Sequence, residues 1–383
     1  MRRVQWPILL AILSLLQPTL VSAHHDDIPN PAPATTPRKL EPIPQMRRDG
    51  VTVSGLSSGA FFAHQFHVAH SKLVVGAGLL AGGPYGCVET ISNPYWRLAG
   101  VTAALDRFSA ALVGCSHIVG GRYFGLRVDA PRAEDSVGLV RAAWDRRVID
   151  DPDHLRGHRV WIFHGKKDDL VPAAVTASVA EVYRRLGVAA VATDLDRDAP
   201  EAAHGMPVTR APADSPFPAR TCGELKPPFI IQCGFSGAEA LLRHLYPAET
   251  KPASPDPHGD GAIIMFDQSE FTAGNGDGAS LAKVGFAYVP RRCGAQACHL
   301  HVAFHGCLQN AELVHDDWVR DAGYNAWAAA NDVVVIYPQT TRSAQNPSRC
   351  WDFWGYAGEA YADQTAPQIR AVKGMVDRVL GLP

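Results

Sequence analysis

From residue 51 onward, short apolar and β-branched runs alternate with stretches whose apolar positions recur every three or four residues. The runs predict strands at 51–53, 73–79, 160–163, 189–193, 262–266, 284–289, 299–304 and 333–337. Between them the longer period predicts helices at 60–69, 136–144, 173–186, 238–246, 318–330 and 368–380. Strand and helix in alternation predict an α/β fold, a mostly parallel sheet with helices on both faces. Ahead of it, residues 24–50 are polar and proline-rich and read as an exposed lead-in, leaving 51–383 as one domain. Proline clusters at Pro212, Pro216 and Pro218, and at Pro252, Pro255 and Pro257, read as surface loops inside that domain.

The first 23 residues follow a different rule. Arg2 and Arg3 precede an apolar run at 8–16, and Val21-Ser22-Ala23 supplies small residues where a signal peptidase cuts. Gln17 and Pro18 break the run short of the roughly 20 residues a spanning helix needs, so residues 1–23 read as a secretory leader rather than an anchor. The mature protein is then expected outside the cytoplasm, in a periplasm or beyond the cell, without a membrane partner. His24-His25-Asp26-Asp27 follows the cut, and reads as a solvated tail before it reads as a metal site.

Export changes the meaning of the eight cysteines, because an oxidising compartment makes an even count a disulfide framework. Short separations suggest Cys293 with Cys298 and Cys222 with Cys233, leaving Cys87, Cys115, Cys307 and Cys350 for longer links. No CxxC pair is present to favour zinc. With 36 Lys and Arg against 38 Asp and Glu, a net charge of -2 offers no basic field for nucleic acid.

Chemistry enters at the first strand. It runs directly into Gly55-Leu56-Ser57-Ser58-Gly59 and then a helix, the strand, turn and helix of a nucleophile elbow that projects the central serine. A serine is a weak nucleophile, so it needs a base, and the base needs an acid to orient it. The strand at 160–163 ends in His164-Gly165-Lys166-Lys167-Asp168-Asp169, at the strand end where open α/β sheets gather ligands. Asp168 is the candidate acid, with Asp169 as rival, and either residue could instead cap the next helix. His204, in a loop of small residues after the strand at 189–193, is the candidate base and completes the chain order serine, acid, histidine. His164 and His305 stand beside glycines at strand ends and read as orienting or packing residues.

Stabilising the oxyanion takes two backbone N–H groups. Ser58 supplies one, and His305-Gly306-Cys307 after the strand at 299–304 has the form of the second. In the usual α/β-hydrolase that segment precedes the serine, whereas here it follows the histidine, an order that a circular permutation produces.

Together these residues, with the 222–246 segment, Phe266-Asp267-Gln268 and His305-Gly306-Cys307-Leu308-Gln309, resemble the extracellular poly(3-hydroxybutyrate) depolymerases, in particular their single-domain, circularly permuted form. The resemblance covers 51–383. It implies a serine esterase with Ser57, Asp168 and His204 as triad and Ser58 and Cys307 as oxyanion donors, needing no metal or organic cofactor. It also implies a Cys307–Cys350 disulfide and a polyester polymer or oligomer as substrate. Many members carry a separate polymer-binding domain, so here the catalytic surface is expected to hold the polymer. Cys350-Trp351-Asp352-Phe353-Trp354-Gly355-Tyr356 offers aromatic faces for that task, with Trp351 as the chosen subsite residue, although the same cluster could simply close the core. A carboxylesterase for feruloyl or acetyl groups is the alternative activity, and a non-catalytic binding protein the alternative of another class. The sequence leaves the oligomeric state open.

Overall fold

A computed structural model describes residues 36–91, 103–117, 129–195, 201–210, 220–249, 251–272 and 279–383. The expected leader, the histidines after it and the 212–218 proline cluster lie outside these residues. The described strands, in chain order, are β1 (Met46–Leu56), β2 (Val74–Leu80), β3 (Arg159–Phe163), β4 (Ala190–Asp194), β5 (Met206–Val208), β6 (Arg220–Thr221), β7 (Ile230–Gln232), β8 (Ala262–Asp267), β9 (Val284–Val289), β10 (Cys298–Phe304) and β11 (Val333–Tyr337). The helices that cover the main sheet include α1 (Ser58–Ala69), α2 (Ala133–Asp145), α3 (Ala173–Arg185), α4 (Gly237–Leu245), α5 (Tyr324–Ala330) and α6 (Pro367–Leu380).

Among the described residues eight strands form the main sheet in the order β4-β3-β2-β1-β10-β11-β9-β8. Pairing is parallel from β4 to β11, and β9 and β8 then run antiparallel at one edge. Every strand expected from the sequence lies in this sheet. Alternation along the strands sorts their side chains onto two faces. Val160 and Ile162 join one core with Phe62, Val140, Val179 and Val372 from α1, α2, α3 and α6. Trp161 and Phe163 point the other way, into a second core with Leu241 and Leu242 of α4 and Trp327 of α5. Helices therefore cover both faces, as the periodicity implies.

Three features differ from the sequence expectation by more than a few residues at an element's ends. The lead-in is shorter: β1 starts at Met46, Leu40 is 4% exposed in the first core, and the Arg38 N–H donates to the Met265 carbonyl at 3.0 Å. Leu40, Ile43 and Met46 space apolar contacts through a proline-rich stretch, and that spacing carries no strand period. The helix expected at 318–330 is broken, with Asp317–Asp321 separated from α5 by Gly323 at φ +88°. Glycine adopts this left-handed conformation at little cost, so the apolar period continues across a turn. A small parallel sheet, in the order β5-β7-β6, was not expected; its strands have two or three residues each, too few to show a period.

The sheet order sets the position of the site. From β1 the chain moves outward through β2, β3 and β4, re-enters the sheet at the opposite edge as β8 and β9, and then comes back to the other side of β1 as β10. The crevice at the carboxyl end of β1 lies where the order reverses, the place where open α/β sheets bind ligands. Register brings the strand ends there level: Leu56 pairs with Leu80, Leu80 with Phe163, and Gly55 with Phe304. Among the described residues no helix is long and apolar enough to cross a membrane.

Candidate active site

Ser57 is the first residue after β1 and sits at φ 57°, ψ -125°, a conformation that a residue with a side chain adopts only under strain. The turn is held by the Ser57 N–H donating to Leu80 at 2.9 Å, and by the Ala60 and Phe61 N–H groups donating back to the Ser57 carbonyl at 2.8 and 3.0 Å. The flanking glycines are required by contact. A Cβ on Gly55 would lie 2.3 Å from the Gly59 carbonyl, and one on Gly59 would lie 2.4 Å from the carbonyl oxygen of Phe304. The elbow is thus pressed against the end of β10, and Ser57 stays partly exposed where its neighbours are buried.

Asp168 follows β3 in a tight turn, with its side chain wholly buried. Oδ1 accepts from the Leu170 and Val171 N–H groups at 2.9 and 3.1 Å, and Oδ2 accepts from Nδ1–H of His204 at 2.7 Å. Burial works to raise the carboxyl's pKa, but the His204 imidazole and these donors outweigh it and hold it below the ordinary carboxylate value. Asp169, the rival, is exposed on the other side of the turn. His164 donates Nε2–H to the Val171 carbonyl at 2.8 Å and lies 3.9 Å from Asp168 Oδ2, so it braces the acid turn.

His204 is buried at the entry to β5. Its loop is bonded to the acid loop through Lys167 N–H to Ala202 at 2.9 Å, and a Cβ on Gly165 would lie 2.2 Å from the same carbonyl. The small sheet holds the other side: Met206 N–H donates to Phe229 and Ala203 N–H to Cys222, each at 2.8 Å. The Cys222–Cys233 disulfide closes that frame.

The His305-Gly306-Cys307 segment, expected to supply the second oxyanion donor, follows β10. His305 is fully buried, and burial pushes its pKa down to about 4. Thr340 N–H donates to its Nε2 at 3.2 Å, which leaves Nδ1–H to donate to the Gly306 carbonyl at 2.7 Å. The neutral ring therefore fixes the turn that presents Cys307. A Cβ on Gly306 would lie 3.5 Å from the Cβ of Ser57, so this turn abuts the nucleophile. The Cys307–Cys350 disulfide secures it from outside. Ser58, first residue of α1, has an N–H that no intrahelical carbonyl reaches.

Trp351 is placed differently from the expectation. It is 0% exposed, packed on Phe62, Phe304 and His305 at ring separations of 4.7, 4.9 and 5.6 Å, and offers no face to a polymer. Phe62, Phe304 and His305 enclose the indole, so Trp351 belongs to the core rather than to a polymer subsite. Its backbone still matters, since its N–H donates to Ser58 Oγ at 3.3 Å. Sequence reasoning missed Asp352, which accepts from the N–H groups of Trp354, Gly355, Tyr356 and Ala357 at 3.3, 2.7, 3.1 and 3.0 Å and folds the aromatic loop around itself. Burial nevertheless lifts its pKa to about 6. The cysteines, all described, form four disulfides: Cys87–Cys115, Cys222–Cys233, Cys293–Cys298 and Cys307–Cys350. Such a framework suits an oxidising compartment.

The sheet, the elbow at its switch point and the buried acid and histidine define an α/β-hydrolase fold. No family model matches the chain. It is 35% identical over 347 residues to a poly(3-hydroxybutyrate) depolymerase of Delftia acidovorans, covering 88% of this chain and 61% of that protein. It is 28% identical over 351 residues to a polyhydroxybutyrate depolymerase of Talaromyces funiculosus, covering 87% of this chain and 90% of the other. The crystal structure of a PHB depolymerase from Penicillium funiculosum superposes with a TM-score of 0.72 at 25% identity, over 90% of this chain and 99% of that one. A serine-to-alanine PHB depolymerase variant solved with an R3HB trimer gives 0.73 at the same identity and coverage. In sequence and in structure the chain is similar to polyhydroxybutyrate depolymerases over most of its own length. It spans about three-fifths of the length of the Delftia relative.

Proposed function

We propose that the chain is an exported serine esterase that hydrolyses poly(3-hydroxybutyrate) or its oligomers to 3-hydroxybutyrate products. The observation that carries the reading is the buried Asp168–His204 pair at 2.7 Å, on the same sheet edge as a strained Ser57 and the Gly306–Cys307 turn. The relatives' names and the R3HB complex of the similar structure supply the substrate class.

In the proposed reaction His204 Nε2 takes the Ser57 proton as Oγ attacks the ester carbonyl, and the Ser58 and Cys307 N–H groups receive the developing oxyanion. Asp168, held ionised, keeps Nδ1 protonated and steadies the imidazolium. The imidazolium returns its proton to the alcohol oxygen as the C–O bond breaks, leaving an acyl group on Ser57. Water, deprotonated by the same nitrogen, attacks that acyl carbon, and the imidazolium then protonates Ser57 Oγ as the Oγ–acyl bond breaks, which releases the acid and restores the serine. The expected leader and the disulfides support export to a periplasm or beyond the cell.

An organophosphonate that mimics the tetrahedral intermediate tests the reading. Mass mapping should place the label on Ser57, and Ser57→Ala should lose turnover of an activated butyrate ester with its melting temperature retained. Label elsewhere, or turnover surviving in Ser57→Ala, would reject the assignment.

A further inference from the structure

Several restraints hold the turn after β10, among them Leu308 N–H donating to the Ser348 carbonyl at 2.8 Å, and the one through Gln309 leads toward the histidine. His305 holds the Gly306 carbonyl, the Cys307–Cys350 disulfide holds the outer side, and Gln309 holds the Gly306 N–H. The Gln309 side chain is fully buried and spent at both ends: Oε1 accepts from Gly306 N–H at 2.7 Å, while Nε2 donates to the carbonyls of Pro228 and Phe229 at 2.8 and 3.4 Å. Phe229 is the residue whose carbonyl receives the Met206 N–H, two residues after His204, and a Cβ on Gly205 would lie 3.0 Å from that oxygen. On its other side, a Cβ on Gly306 would lie 3.2 Å from Gln309 Oε1 and 3.5 Å from the Ser57 Cβ.

We propose that Gln309 is a positioning residue that sets the distance between the oxyanion turn and the histidine loop, joining them through one amide. This inference rests on the esterase reading above. The two halves come from distant parts of the chain and from different sheets, and β10 and β7 do not pair. An amide suits the place because it needs an acceptor toward an N–H and a donor toward carbonyls, a combination that a carboxylate lacks and a carboxylic acid has. Misplacing an oxyanion donor by about an ångström is enough to cost on the order of a hundredfold in rate.

The test compares wild type, Gln309→Glu and Gln309→Met on a soluble activated butyrate ester between pH 5.5 and 8.5, with a melting curve at each pH so that rates refer to folded protein. At pH 8 both variants should lose about tenfold to a hundredfold in kcat with KM within about twofold, since the lost interaction serves the transition state. As the pH falls, the introduced carboxyl gains a proton and can donate to Pro228 again, so the ratio of Gln309→Glu to wild type should rise while that of Gln309→Met stays flat. Unchanged kcat, a loss carried by KM alone, or equal and flat ratios in both variants would overturn the role. A wild type inert toward the ester would instead reject the underlying esterase reading.

Discussion

At the residue scale, side chains in this molecule are assigned by what they touch, and two neighbours in sequence can have opposite roles. Asp168 and Asp169 are both loop carboxylates after β3, and only Asp168 turns in to His204. The sequence narrowed the acid to this pair because catalytic loops follow strand ends, but the direction of a turn is a matter of backbone packing. Trp351 makes the same point for an aromatic. In sequence a tryptophan in a loop suits a polymer subsite and a core equally well, and here the indole fills the core between Phe62 and Phe304. Trp351→Ala should therefore act on stability, lowering it by about 3–5 kcal/mol in denaturant melts. Trp351→Phe should leave KM for a soluble oligomer within about twofold, a comparison that checks the core assignment against a subsite.

At the scale of elements, strands of five or more residues were legible because a β-branched run carries its own signal, and they fix which loops rise from the sheet's carboxyl edge. The pieces that hold His204 were not. β5, β6 and β7 are stabilised by bonds among distant segments and the Cys222–Cys233 link, so no local pattern announces them. The motif that contains Gln309 was legible but its bridging role was not, since the Pro228 and Phe229 carbonyls that it joins to Gly306 lie about 80 residues away in sequence. The Cys307–Cys350 link closes a loop of 43 residues, for which chain entropy gives about 4 kcal/mol. Replacing both cysteines with serine should cost roughly 2–4 kcal/mol in thermal or denaturant unfolding and also lower kcat, because the Cys307 N–H loses one of its restraints. A double variant that melts like wild type would remove the disulfide from the structural account.

For the whole molecule, the order of the sheet could not be read from sequence, since nothing local says that β10 returns to the side of β1 away from β2. That placement is what brings the Gly306–Cys307 turn to Ser57. The fold also buries many histidines neutral. Burial lowers the pKa of His64, His70, His158 and His305 to about 4 and that of His301 to about 3. The unfolded chain protonates these side chains near pH 6.5 and the folded one does not, so between about pH 6.5 and 4 the unfolded state binds more protons and stability falls with pH. Two carboxyls oppose this: burial raises Asp317 to about 8 and Asp352 to about 6, and both add stability as the pH falls. The histidines outnumber them. Lowering the pH from 7 to 5 should depress the melting temperature by on the order of ten degrees, and a flat or rising profile would show that the carboxyls dominate.

The most direct test of polyester hydrolysis at Ser57 is release of soluble 3-hydroxybutyrate from amorphous poly(3-hydroxybutyrate) granules by the purified protein beside Ser57→Ala. Sustained release by the wild type and none by the folded variant is the predicted result. A wild type that turns over the activated butyrate ester yet releases nothing from the granules would contradict the polyester assignment, leaving an esterase of another specificity.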